Sequence, residues 1–126
     1  MSEAPERLAR RLAELAADKK AEDIVGLDMR ELVSYTDWLV ICTARNERQA
    51  RAITDEVRLQ VKREEGRLPS GVEGEGPAGW IVLDYLDCVL HVFTPEARDR
   101  YRLEELWREA PRLELETGGE ARAASA

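Results

Sequence analysis

Residues 79–93 read GWIVLDYLDCVLHVF. In a chain that is 36% charged, this is the most apolar stretch, yet Asp84 and Asp87 sit near its middle. The runs WIVLD and DCVLHVF are rich in β-formers and are separated by Tyr85-Leu86, which predicts a hairpin. That loop places Asp84 opposite Asp87, Val82 opposite Val89 and Trp80 opposite His91. Alternation then puts Trp80, Val82, Asp84, Asp87, Val89, His91 and Phe93 on one face of the sheet. Ile81, Leu83, Cys88, Leu90 and Val92 take the other, wholly apolar face, which must meet the core. The mixed face fits a recognition surface or a partly covered sheet. Like charges directly opposite each other are mildly destabilising. Neither Tyr nor Leu favours the positive φ of tight hairpin turns, so the loop is expected to be strained or longer.

Working outward, Trp38–Thr43 (WLVICT) is a continuous run rich in β-formers and too short for a typical helix, and reads as a central strand buried on both faces. Ile24–Met29 is a shorter strand candidate. Pro5 to Lys19 carries Leu8, Leu12 and Leu15 at helical spacing, with Pro5 suited to the first turn. Asn46 with Gln49 three residues on is a capping-box pattern, starting a helix at about Glu47. Gly66 is a stop signal for that helix. Ala50, Ile53, Val57 and Val61 form its inward stripe. RLPSGVEGEGPAG (67–79) reads as a flexible connection in which Gly71–Glu73 can edge a strand. Thr94-Pro95 caps a further helical segment of one or two short turns. The tail after Pro111 is small, polar and Gly/Ala-rich, and is expected to be disordered. The order helix, strand, strand, helix, strand, strand, helix predicts one α/β (α+β) domain over residues 1–110, a mixed sheet covered by helices.

Composition narrows the function classes. The 126 residues carry a net charge of −7, which argues against a bare basic surface for nucleic acid. Hydrophobic residues make up 44%, so the chain can build a core. Cys42 and Cys88 both lie in strand-like runs and read as buried free thiols. No window approaches the length of a membrane span, and the N-terminus has no apolar signal core. A cytoplasmic, reducing setting is expected.

Catalytic readings find little support in the residue pattern. In the hairpin register above, His91, the one histidine, lies roughly 13 Å along the strand from Asp87, too far for one metal ion to hold both. It reads as a half-buried packing residue beside Trp80. The glycines of GVEGEGPAG are followed by neither Lys-Ser/Thr nor a convincing helix, so no phosphate cradle is present. What stands out is a group of aromatics and arginines: Trp80, Arg98, Tyr101, Arg102 and Trp107. Those residue types are enriched at interface hot spots, although Tyr101, Leu103, Leu106 and Trp107 also suit packing of the last helix onto the sheet, a reading that favours Leu106 and Trp107 most.

Four blocks in this order resemble the ribosome silencing factor, or Iojap-like, family: DIVGLDM, SYTDWLVICTARNERQARAI, GWIVLDYLDCVLHVF and RDRYRLEELW. They span roughly residues 5–108. The resemblance implies a mixed α/β domain related to nucleotidyltransferases. It further implies a translational repressor that binds the large ribosomal subunit at its fourteenth large-subunit protein and blocks joining of the small subunit when nutrients are scarce. By position, the resemblance makes Trp80, Asp84 and Tyr101 the contact core, with Asp87, Arg98, Leu103 and Glu104 adjoining. No cofactor, catalytic residue, membrane or sequence-specific nucleic acid is implied; a homodimer off the ribosome is a weaker alternative. Two positions depart from the family pattern: Leu86 and Ala44 stand where glycine is common. The rival reading is a metal-dependent nucleotidyltransferase. Those enzymes place carboxylates as D-x-D on one strand, whereas here Asp84-x-x-Asp87 crosses a turn.

Overall fold

The computed structural model describes residues 3–74 and 79–115. Trp38–Thr43 forms β2, every residue of it buried, as a run of β-formers without polar alternation demands. On one side β2 runs parallel to β5 (Cys88–Phe93), and on the other antiparallel to β1 (Glu22–Asp28). The hairpin partner β4 (Trp80–Asp84) lies beyond β5, followed by the short edge strand β3 (Gly71–Glu73). With β6 (Arg112–Leu113) beside β1, the six-stranded mixed sheet has the order β3-β4-β5-β2-β1-β6. The fold is α+β, a single domain.

Two helices cover one face. α1 (Glu3–Asp18) buries Leu8, Leu12 and Leu15. α2 (Glu47–Glu65) buries Ala50, Ile53, Val57 and Val61. The Asn46 side chain accepts from the Gln49 backbone N–H, and Gly66 ends α2 with φ 68°. Ile81, Leu83, Tyr85, Cys88, Leu90 and Val92 complete this core beneath them. The opposite face buries a smaller cluster: Leu27, Met29, Leu39, Ile41, Val89, Phe93, Ala97 and Ala110. It is roofed by α3 (Pro95–Tyr101) and the single-turn α4 (Leu103–Leu106). α3 starts as expected, with Thr94 as N-cap and Pro95 in the first turn.

The hairpin corrects the expected register. Asp84 pairs with Val89, Val82 with His91 and Trp80 with Phe93. The shift is two residues, so each side chain keeps its face, but Asp84 and Asp87 no longer oppose each other. The loop is Leu86-Asp87, one residue later than Tyr85-Leu86, closed by a Tyr85 N–H to Cys88 carbonyl bond of 2.8 Å. Burial of Tyr85, only 1% exposed, explains the choice: the tyrosine stays extended in the core and Asp87 takes the turn. The Asp87 carbonyl accepts from the Asp37 and Trp38 N–H groups, both at 3.1 Å, which ties the turn to the start of β2.

The expected boundary at residue 110 also shifts. Arg112–Leu113 pair with Leu27 and Gly26 of β1, and Leu115 is buried against the α1 side of the sheet. The ordered chain therefore extends past Pro111. The rest of the expected tail, 116–126, and 75–78 of the expected connection lie outside the described residues.

Candidate docking face

The β4–β5 half of the sheet carries its aromatics on the face away from α1 and α2. Trp80 stacks on Phe93, its direct cross-strand partner, with centroids 4.9 Å apart and planes at 26°. Tyr101, the last residue of α3, lies 4.5 Å from Trp80 between ring centroids. His91 sits diagonally from Trp80, and the indole N–H donates to its Nδ1 at 3.0 Å. Tyr101 remains 44% exposed, and Trp80 and His91 are half-buried. The group is packed from below and open above.

Gly79 sets the approach of Trp80. Its φ is +77°, and a Cβ there would lie 2.7 Å from Thr94 Oγ1. The Thr94 N–H donates to the Gly79 carbonyl at 2.8 Å. A Gly-Trp pair thus lets β4 start directly against the cap of α3, which brings Trp80 to Tyr101.

Asp84 shares this face at the far end of β4. One carboxylate oxygen accepts from the Leu86 N–H at 2.7 Å, an Asx-type contact that supports the turn. Asp87 is drawn elsewhere: Arg67, after α2, donates to its Oδ1 at 3.1 Å and to the Tyr85 carbonyl at 2.7 Å. The two carboxylates therefore serve separate partners. Among the described residues, no three His, Cys, Asp or Glu side chains are grouped so as to hold a metal ion.

Arg98, Leu103 and Glu104 form a second group toward β1. Arg98 is 13% exposed in its side chain. It donates to Glu104 Oε1 at 2.8 Å, to the Asp23 carbonyl at 2.6 Å and to Thr43 Oγ1 at 2.7 Å. The Arg98 hydrogen bond and charge hold the Glu104 carboxyl below its usual range. Leu103 is half-buried against the smaller core cluster, as is Trp107. Arg98 thus works inside the fold, as a strut joining α3, α4, β1 and β2.

Both cysteines are buried and free. Burial pushes the Cys42 thiol up to about 12 and raises the Cys88 thiol as well, so neither is a ready nucleophile. Ala44, a glycine position in the resemblance, has an ordinary negative φ and buries its methyl fully in the larger core. Leu86, the other, has φ 75°, and the Asp87 N–H closes a three-residue turn on the Tyr85 carbonyl at 2.9 Å. The turn therefore demands the conformation that glycine adopts most easily.

The sequence points to Trp80 and Tyr101, which the structure brings together, but not to the contacts that support them. Phe93 lay on the right face by alternation, yet the shifted register hid its pairing with Trp80. His91 packs half-buried beside Trp80 as expected, and its ring nitrogen in addition accepts the indole hydrogen bond, which a strand pattern does not signal. Arg67 carried no local signal, because its partners are 18 and 20 residues away.

Comparison with known proteins adds the lineage. Residues 2–126 match the model of a family described as ribosomal silencing factor during starvation. The ribosomal silencing factor RsfS of Halalkalibacterium halodurans is 40% identical over 99 residues, which is 79% of this chain and 84% of that protein. A crystal structure of a Chromobacterium violaceum protein superposes with a TM-score of 0.76 at 28% identity, covering 94% of this chain and 95% of that one. A mouse protein named mitochondrial assembly of ribosomal large subunit protein 1 is 30% identical over 98 residues, 76% of this chain and 43% of that protein. A match running almost from end to end, on a shared fold, means that this chain belongs to the ribosomal silencing factor (RsfS, Iojap-like) family.

Proposed function

We propose that this chain represses translation by occupancy rather than chemistry. It binds the large ribosomal subunit at the fourteenth large-subunit protein and, by covering that surface, keeps the small subunit from joining when nutrients are scarce. The observation that carries the reading is the open Trp80–Tyr101 pair, rigid beneath and exposed above, with Asp84 on the same face. Rigid aromatics lose little entropy on binding, which suits them to anchor an interface. The net charge of −7 favours a basic protein target over bare ribosomal RNA and speeds encounter at low salt. Trp80, Asp84 and Tyr101 form the proposed contact core. Asp87 stands at its edge, while Arg98, Leu103 and Glu104 hold the helices that carry Tyr101.

The test is a joining assay. Large subunits are incubated with the chain, small subunits are added, and the joined particle is measured on a sucrose gradient. A dose-dependent fall in joined particles is expected when the chain is added first. Unchanged joining at saturating, bound chain would contradict repression by exclusion.

A further inference from the structure

His91 is the sole histidine of the chain. It lies on β5 between Val82 of β4 and Ile41 of β2. Its ring is held 5.8 Å from the Trp80 ring, and the 3.0 Å contact joins Trp80 Nε1 to His91 Nδ1. An indole nitrogen can only donate, so Nδ1 is bare and the imidazole proton resides on Nε2. Burial keeps the ring neutral, lowering its pKa to about 4 against an upward pull from Asp84. Stacking on Phe93 fixes the plane of Trp80, but a flip of the indole keeps that plane and carries Nε1 away from His91, so stacking by itself leaves two directions open. A directional hydrogen bond removes that degeneracy.

We propose that His91 is a positioning residue of the docking face, whose Nδ1 selects the single Trp80 orientation that forms a joint surface with Tyr101. The role rests on the docking reading above. Pre-set orientation lowers the cost of ordering the anchor at the moment of binding.

Two substitutions separate this role from mere packing. His91→Asn keeps an acceptor atom near the Nδ1 position; His91→Leu fills the space without one. The native chain and His91→Asn are expected to bind purified large subunits within about threefold of each other. His91→Leu is expected to bind about fivefold to tenfold more weakly, the loss of one well-aligned hydrogen bond. In a Trp80→Phe background, which has no indole donor, the same His91→Leu change should cost nothing further. Nitrogen NMR of the free native chain should show Nδ1 unprotonated and Nε2 protonated at neutral pH. Native-like binding by folded His91→Leu, in a chain whose binding does depend on Trp80, would overturn the positioning role and leave the docking reading standing. A protonated Nδ1 would overturn it without any ribosome. Failure of the native chain to bind would overturn the docking reading, and this role with it.

Discussion

Leu86 bears the clearest local strain in the described structure. At φ 75°, a leucine occupies a backbone region that costs an L-residue about 1–2 kcal/mol, and its side chain is 61% exposed, so burial returns little. Leu86→Gly removes that cost and incurs about 0.5–1 kcal/mol of extra chain entropy. A net gain of up to about 1 kcal/mol is expected in urea unfolding; a loss of similar size would mean that the turn is unstrained. Arg98 makes the opposite case. Arg98→Met keeps the stem but leaves Glu104, Thr43 and the Asp23 carbonyl without their donor. Thermal unfolding should show a loss of about 2 kcal/mol or more. A change within about 0.5 kcal/mol would place Arg98 with ordinary surface residues instead.

Elements with strong local signals could be read directly. The Asn46 cap, the Gly66 stop, the β-former run of the fully buried β2 and the Thr94-Pro95 start all act within a few residues of themselves. The hairpin was legible in its faces, because alternation survives a two-residue slip, but not in its register. Register was decided by distant contacts: Tyr85 in the core and the Asp87 carbonyl on β2. β6 went unread because a two-residue strand has no length to signal itself. It exists because Gly26 leaves room, where a Cβ would lie 3.1 Å from Leu113 Cβ, and because Leu115 finds a buried site. A chain ending at Ala110 exposes that edge and loses Leu115. It is expected to be less stable by about 2 kcal/mol, judged from burial of one leucine side chain. Equal unfolding midpoints for the two lengths would show that β6 is incidental.

At the level of the whole molecule, acid should act through His91. Its folded pKa of about 4 lies below the ordinary value of 6.5, so the unfolded chain takes up its proton first. The groups around it are Asp84 from β4, which opposes this shift, and the Trp80 donor; β2 contributes Ile41, and Tyr101 of α3 lies tilted against Trp80. The stability that neutral His91 contributes is complete above about pH 6.5 and declines by about 1.4 kcal/mol per pH unit toward pH 4. The lowered Glu104 carboxyl works in the same direction, but only below its ordinary pKa of 4.5. Unfolding free energies between pH 6.5 and 5 should therefore fall in the native chain and stay nearly flat in His91→Asn; equal slopes would remove His91 from the acid response.

The candidate site was legible as a set of residue types and much less so as an arrangement. Trp80 and Tyr101 stand 21 positions apart, and only the β5–α3 connection, locked by Gly79 against Thr94, brings their rings to 4.5 Å. The same contacts withdraw Asp87 and Arg98 into partnerships of their own. A docking face centred on two aromatics makes a sharp demand. Purified large subunits are sedimented with the native chain, Trp80→Ala or Tyr101→Ala, each checked for folding, and the bound fraction is measured against concentration. The native chain should pellet with large subunits at micromolar concentration, and each substitution should weaken binding at least about tenfold, as expected for central aromatic anchors. Native binding that neither substitution weakens would contradict this docking face.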